Sequence, residues 1–156
     1  MRITRWGEYG IHCSTYIASK VVQGVDLVSA QEIADSQAIP VDYARQILQR
    51  LKNGGIITTV RGPQGGYSLA RPAAEISLVD ILRAAEGETF ELICETNQLD
   101  DVRCSPDGNC SLRPIWQKLR LHIDSFLGGY TLHQLLSSEV TMQNTEPILI
   151  GASSKK

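Results

Sequence analysis

Residues 43–72 read YARQILQRLKNGGIITTVRGPQGGYSLARP, and this stretch decides the fold. Its first part repeats apolar residues at helical spacing and reaches an Asn-Gly-Gly turn after Lys52, which is typical of a helix end. The runs 56–60 and 67–70 have strand-like composition, and the Gly-rich turn RGPQGG lies between them. The stretch therefore predicts a helix followed directly by a β-hairpin.

A second short helix precedes this one. Ser29 is a predicted N-cap with Glu32 three residues later, and the helix is expected to run to about Ser36. Pro40 suits the first turn of the next helix. Two short helices joined by a tight turn predict a helix-turn-helix, whose second helix enters the major groove of DNA, and the hairpin after it is then a wing.

The second helix is expected to turn six side chains, most of them polar, away from the predicted core: Val41, Asp42, Arg45, Gln46, Gln49 and Arg50. Arg45, Gln46 and Gln49 are assigned to base readout, because these side chains can hydrogen-bond to base edges. A solvated helical face is the plainer interpretation of this helix alone, but the adjoining wing favours DNA. The predicted DNA-binding residues are Ser29, Val41, Asp42, Arg45, Gln46, Gln49, Arg50, Lys52, Arg61 and Gly65.

Five of these residues are assigned specific physical roles. Ser29, Arg50 and Lys52 are expected to contact phosphates, which gives affinity without sequence information. Arg61 at the base of the wing is expected to enter the minor groove, where negative potential favours guanidinium. Gly65 belongs to the glycines that let the wing approach a surface closely.

Charge is segregated along the chain. Residues 1–72 carry eight Arg or Lys against five Asp or Glu, whereas residues 73–156 carry seven against twelve. This fits a basic DNA-contacting module joined to an acidic regulatory one, although such an imbalance usually marks only a solvated face. The chain has no long apolar run and no signal-peptide pattern, so we expect a cytoplasmic protein without a membrane partner.

Helices predicted at both ends of the chain complete the fold. Residues 7–22 form an amphipathic pattern with Cys13 and Val21 on its core stripe, and Ser77 caps a helix that ends at Gly87. A longer helix from about Ser111 to Leu127 carries an apolar stripe suited to the first helix or a partner subunit. A short amphipathic turn follows it, from Thr131 to Ser137.

The expected fold class is mainly α with a small β-hairpin wing: a winged helix-turn-helix with a long C-terminal dimerisation helix. Residues 1–72 form the DNA-binding region in this division, and residues 73–137 hold the cysteine loop and the dimerisation helix. Residues 138–156 show no periodicity and are expected to be disordered.

Cys94, Cys104 and Cys110 fall in one polar segment with the spacing C-x9-C-x5-C. Clustered cysteines in a cytoplasmic chain bind metal or do redox work more often than they form structural disulfides. Free loop thiols are the plainer interpretation, but exposed thiols are chemically reactive. The segment therefore predicts a metal or redox site.

The stretch 43–72, with its complete R-G-x-x-G-G-Y pattern at 61–67, and the run C-x5-C-S-L-R-P-I-W at 104–116 resemble a known family. It is the family of bacterial winged-helix regulators that includes IscR, NsrR and RirA, and the resemblance spans residues 1–137. It implies a homodimer crossed through the long helices and bound to a palindromic operator in double-stranded DNA, more often as a repressor. It also implies an iron–sulfur cluster near the dimer interface.

The resemblance implies that Cys94, Cys104 and Cys110 bind this cluster. The histidine that follows the last cysteine by three residues in IscR-type proteins is Arg113 here, and arginine is no ligand because it stays protonated. The fourth ligand must therefore come from elsewhere, or be absent.

Glu8 and His12 are the candidates to complete the cluster site. They stand four residues apart on one face of the first helix, and the family accepts an oxygen or nitrogen ligand from the partner's first helix. A mixed set of Cys, His and Glu favours a redox-responsive [2Fe–2S] cluster over an all-thiolate [4Fe–4S] one. With this many candidate ligands one cysteine can be a bystander, and Cys94 is the first choice.

Other interpretations remain open. Glu8 and His12 can be a surface hydrogen-bonded pair, and the same cysteines with His12 can bind zinc as a structural site. The wing and the acidic half can instead serve a protein partner, as in relatives that lack the cysteines. An enzyme is not expected, because no nucleophile–base set or cofactor fingerprint occurs.

Overall fold

The computed structural model describes residues 3–88 and 110–137. Its helices are α1 (Arg5–Val22), α2 (Ala30–Gln37), α3 (Val41–Asn53), α4 (Leu78–Glu86), α5 (Arg113–Gly128) and α6 (Leu132–Leu136), with a 3-10 turn at Ala73–Glu75. Strands β1 (Ile57–Val60) and β2 (Gly66–Leu69) form an antiparallel hairpin. The predicted fold class, a mainly helical winged helix-turn-helix, is confirmed.

Hydroxyl side chains cap the N-termini of several of these helices. The Ser29 hydroxyl accepts a hydrogen bond from the Glu32 backbone N–H at 3.1 Å, which confirms the predicted cap of α2. Ser77 and Asp80 form a reciprocal capping box at the start of α4. Such caps satisfy backbone N–H groups that have no partner within the helix. The sequence signals at these positions therefore set the helix starts.

Most predicted boundaries agree with the structure within two residues. Helix α1 begins at Arg5, two residues before the predicted start, because the Thr4 hydroxyl accepts from the Trp6 backbone N–H. Val21 follows the apolar spacing of α1 and is predicted on its buried stripe, but it is 39% exposed near the end of that helix. The tail 138–156 and the cysteine segment before Cys110 lie outside the described residues.

The core lies where α1, α3 and α4 pack together. Ile17, Ile47, Leu51 and Ile81 are fully buried there. Cys13 is fully buried as well, as predicted, and desolvation raises the pKa of its thiol to about 12. This thiol therefore stays protonated at neutral pH and is a packing residue, since the thiolate is the form that binds metal.

The wing is attached to the segment that precedes α2. In the hairpin, Ile57 pairs with Leu69 and Val60 with Gly66. Val28 and Tyr67 exchange two backbone hydrogen bonds, of 3.0 and 2.8 Å, and so form an isolated antiparallel β-bridge beside the hairpin. The wing is therefore fixed beside the N-terminus of α2.

Helix α5 packs differently from the others because none of its residues is buried. It contacts α4, and the Arg83 guanidinium pairs with the Asp124 carboxylate at 2.7 Å. Large apolar side chains of this helix remain exposed, among them Ile115, Leu119 and Phe126. Within residues 3–88 and 110–137, no helix is long and apolar enough to cross a membrane.

A glycine allows α3 and α4 to approach closely. A Cβ at Gly54 would lie 2.3 Å from the Ala84 Cβ and 3.0 Å from its Cα. Gly54→Ala is therefore expected to lower the free energy of unfolding by about 1–3 kcal/mol through overpacking. Gly128→Ala is the control, because its new Cβ would meet only Val79 at an ordinary 3.7 Å. Equal loss of stability in the two variants, measured by thermal unfolding, would contradict this close approach.

Candidate functional site

The outward face of α3 carries polar side chains predicted for DNA readout. Asp42, Arg45, Gln46 and Gln49 are all exposed on this face. The Arg45 guanidinium pairs with Asp42 at 2.9 Å, and the Gln49 amide donates to the Asn53 side chain at 2.8 Å. Exposed pairs of this kind contribute little free energy, so these side chains can exchange them for hydrogen bonds to DNA at small cost.

A cleft lies between this face, the start of α2 and the wing. Its volume is about 350 Å³. It brings together five residues that the sequence assigned to DNA: Ser29, Gln49, Lys52, Arg61 and Gly65. The N-terminus of α2 opens beside two cationic side chains there, and helix N-termini favour anions. The cleft therefore has the chemistry of a phosphate-binding groove.

Sequence reasoning did not identify all of the lining. Thr59, Val60 and Tyr67 also line the cleft. Thr59 and Tyr67 are paired across the hairpin. Strand alternation could have indicated Thr59 and Tyr67, which share a face of the hairpin, but not Val60, because adjacent residues of a strand point to opposite faces.

Gly65 has a structural reason that is independent of DNA. A Cβ at this position would lie 2.2 Å from the carbonyl oxygen of Val60, and the Gly65 N–H donates to Gly62 O at 2.9 Å. Only glycine fits such a close backbone approach. The hairpin itself therefore requires Gly65, and any interaction with DNA comes in addition.

Two predicted DNA-binding residues on α3 are placed differently by the structure. Val41 is half-buried and packs against the core, because it is the first residue of the helix and faces inward. The Arg50 guanidinium turns toward α1 and α4, where it donates to Ala85 O at 2.9 Å and lies over the Trp6 ring. The prediction that both side chains point away from the core is wrong for Val41, and Arg50 is engaged within the protein.

Glu8 and His12 are exposed on α1, as their spacing predicted, beside the buried Cys13. Within the described ranges neither side chain has a hydrogen bond or an ion pair with protein, so both are free to act as ligands. Cys110 is half-buried, three residues before α5 begins. Cys94 and Cys104 lie outside the described residues.

The donor chemistry of these residues suits an iron centre. Thiolate, imidazole and carboxylate are all ligands of iron, and the two candidate non-thiolate donors, Glu8 and His12, stand on neighbouring turns of one exposed helix face. Among residues 3–88 and 110–137, no three His, Cys, Asp or Glu side chains come together as a metal site. The assembly of the proposed ligands therefore stays a prediction.

Comparison with known proteins identifies the family. The family model described as Rrf2, iron-dependent transcriptional regulator, matches residues 3–138. The transcriptional regulator IscR of Xenorhabdus nematophila is 29% identical over 139 residues, which cover 89% of this chain and 81% of the relative.

Solved structures show the same architecture. CymR, described as the global cysteine regulator of B. subtilis, matches with a TM-score of 0.67 and 27% identity over 88% of this chain and 97% of that one. IscR of T. potens matches with a TM-score of 0.66 and 27% identity over 92% of this chain and 91% of that one. Because the family model spans the whole winged helix-turn-helix and the helices that follow it, the chain belongs to the Rrf2 family of DNA-binding transcriptional regulators.

Proposed function

We propose that the protein is a homodimeric transcriptional repressor whose binding to a palindromic operator is controlled by an iron–sulfur cluster. The signal is redox, iron or nitric oxide status. The single observation that carries the DNA-binding part is the readout surface, defined as the exposed face of α3 together with the adjacent basic cleft. Base readout belongs to Arg45, Gln46 and Gln49, and phosphate binding belongs to Lys52 and the N-terminus of α2.

The sensor part is supported by the donors that the chain offers. Cys104 and Cys110 with Glu8 and His12 are the preferred ligand set, and Cys94 is either a further ligand or a bystander. This mixture of donors favours [2Fe–2S] over [4Fe–4S]. When bound, the cluster supplies a centre whose state depends on oxidation and iron supply. Cys110 stands three residues before α5, so a restraint on its thiolate acts close to the start of that helix.

The homodimer is supported by the surface of α5. Ile115 is 55% exposed and Phe126 is 64% exposed, and Trp116 and Leu119 add to the same helix. Contiguous apolar surface on a helix normally marks an interface. We propose a second copy of the chain as its occupant. The two readout surfaces would then face successive half-sites, which is the usual match between a dimer and a palindrome.

A charge placed on the apolar stripe of α5 tests the dimer. Leu119→Glu is expected to give monomer under conditions where the wild type is dimeric, because the carboxylate would be buried without a partner. Gln117→Glu introduces the same group two residues away, about 200° around the helix, and is expected to leave the dimer intact. Sedimentation equilibrium measures both. Dimeric Leu119→Glu would exclude this face as the interface.

Anaerobic purification followed by visible absorption and metal analysis tests the cofactor. The proposal predicts coloured protein with iron and acid-labile sulfide, and loss or a spectral change in Glu8→Ala and His12→Ala. Colourless protein that contains zinc would support a structural zinc site instead. Colourless protein without metal would favour a cluster-free regulator acting through a protein partner. The cluster-free alternative is supported by the similarity to CymR, because the B. subtilis protein is described as a cysteine regulator.

A further inference from the structure

Arg50 links the DNA-reading helix to both of the helices behind it. Its Nη1 donates to the Ala85 carbonyl oxygen in the last turn of α4 at 2.9 Å. Its guanidinium carbon lies 4.3 Å from the centre of the Trp6 ring in the first turn of α1. The Trp6 ring in turn lies 4.6 Å from the ring of Tyr43 on α3. One planar cation is thus held by two helices, although much of its side chain remains exposed.

Further interactions hold the same three helices together at this point. The Glu86 carboxylate accepts from the Thr4 backbone N–H at 2.9 Å and from the Thr4 hydroxyl, which fixes the start of α1 to the end of α4. Gly54 at the end of α3 packs directly on Ala84. The C-terminal half of α3 therefore packs where the start of α1 meets the end of α4. Arg50 supplies a polar interaction between α3 and these two helix ends.

Lys52 provides the contrast. It lies two residues after Arg50, and therefore about 200° around the helix. Lys52 lines the basic cleft with Arg61, whereas Arg50 contacts Trp6 and Ala85. The two neighbouring cations consequently face opposite sides of α3. The Lys52 side of the helix opens onto the cleft that is the proposed path of the DNA backbone.

We propose that Arg50 is a positioning residue for base readout and does not bind a phosphate. By binding Trp6 and Ala85 it holds α3 at the angle that presents Arg45 and Gln49 to the bases. Bidentate hydrogen bonds to base edges depend on this angle. A flexible lysine side chain can instead still reach a phosphate when the angle of the helix changes. This inference rests on the proposed readout surface.

The test compares Arg50→Gln with Lys52→Gln on two DNA probes. The first probe is the tightest duplex that the wild type selects from a randomised pool, and the second is a scrambled duplex of the same composition. Fluorescence anisotropy gives Kd for both at several NaCl concentrations, well below the unfolding temperature. Arg50→Gln is expected to reduce the ratio of selected to scrambled affinity by roughly tenfold while the salt slope stays at the wild-type value.

Lys52→Gln is expected to give the opposite pattern. Both affinities fall together, and the slope of log K against log salt becomes shallower by about 0.9 for each phosphate that the variant no longer neutralises. Arg50→Lys keeps a cation that can donate to Ala85 O and lie over Trp6, so it is expected to recover most of the affinity ratio. That rescue would not occur if the planar group itself bound bases bidentately.

Different outcomes overturn different claims. A shallower slope with an unchanged affinity ratio in Arg50→Gln would make Arg50 a phosphate-binding residue. An unchanged slope and ratio would show that Arg50 has only a structural role. In both cases the wild type still discriminates and the readout surface stands. A wild type that binds the two duplexes equally would count against the readout surface and, with it, against the role of Arg50.

Discussion

Replacing Cys104 or Cys110 with serine is expected to give colourless protein with no bound iron or sulfide after anaerobic purification. Serine retains the size of the side chain but cannot supply the thiolate that iron–sulfur clusters require. Operator affinity of the variants is then expected to match that of the cluster-free wild type. The loss of iron should be close to complete, because few of the proposed ligands are thiolates.

Cys13→Ser is the matched control for this loss. Cys13 is fully buried and its thiol pKa is about 12, so its replacement is expected to affect stability and to leave the iron content unchanged. Cys94→Ser distinguishes a ligand from a bystander. Iron and colour retained in both Cys104→Ser and Cys110→Ser would contradict the ligand set.

Arg45→Ala is expected to relax sequence preference by about 1–3 kcal/mol at one base pair of each half-site, or roughly 5- to 150-fold in relative affinity. Arg45 is exposed on the readout surface, where its guanidinium pairs with Asp42. Arginine donates bidentately to guanine, so its removal affects one position of the operator. A selection from randomised duplexes, repeated with each variant, measures the preference.

Two variants separate base readout from charge in this experiment. Arg45→Lys keeps the charge but loses the planar pair of donors, so it should also relax the preference. Lys52→Ala should weaken binding to all sequences similarly, because phosphate binding carries no sequence information. A preference profile left unchanged by Arg45→Ala would remove this residue from base readout.

Local patterns were sufficient to predict the helix-turn-helix and its wing. Capping by Ser29 and Ser77, apolar spacing along α3 and the Gly-rich turn of the wing are all encoded within a few residues. The cleft could be anticipated in part, because the wing directly follows α3 and its cations are close in sequence. Its remaining lining depends on how the wing packs against Val28.

The orientation of Arg50 could not be predicted in the same way. This residue lies at the border between the polar and apolar faces of α3, and its partners Trp6 and Ala85 are distant in sequence. A helical pattern shows which side of the helix a residue occupies, but not which neighbour it meets. The predictions for Val41 and Val21 failed for a related reason, because both residues lie near helix ends. The start of α3 turns into the core, so Val41 is half-buried, whereas the end of α1 extends past the core, so Val21 is exposed.

Operator binding by the same protein with and without its cluster is the most direct test of control by the cluster. The wild type is divided into cluster-loaded and chelator-stripped portions, and both are titrated anaerobically against the duplex selected by the loaded protein. Control by the cluster predicts at least a tenfold difference in Kd, which corresponds to about 1.4 kcal/mol of coupling. Equal affinity of the two portions, each shown to be folded and dimeric, would contradict it.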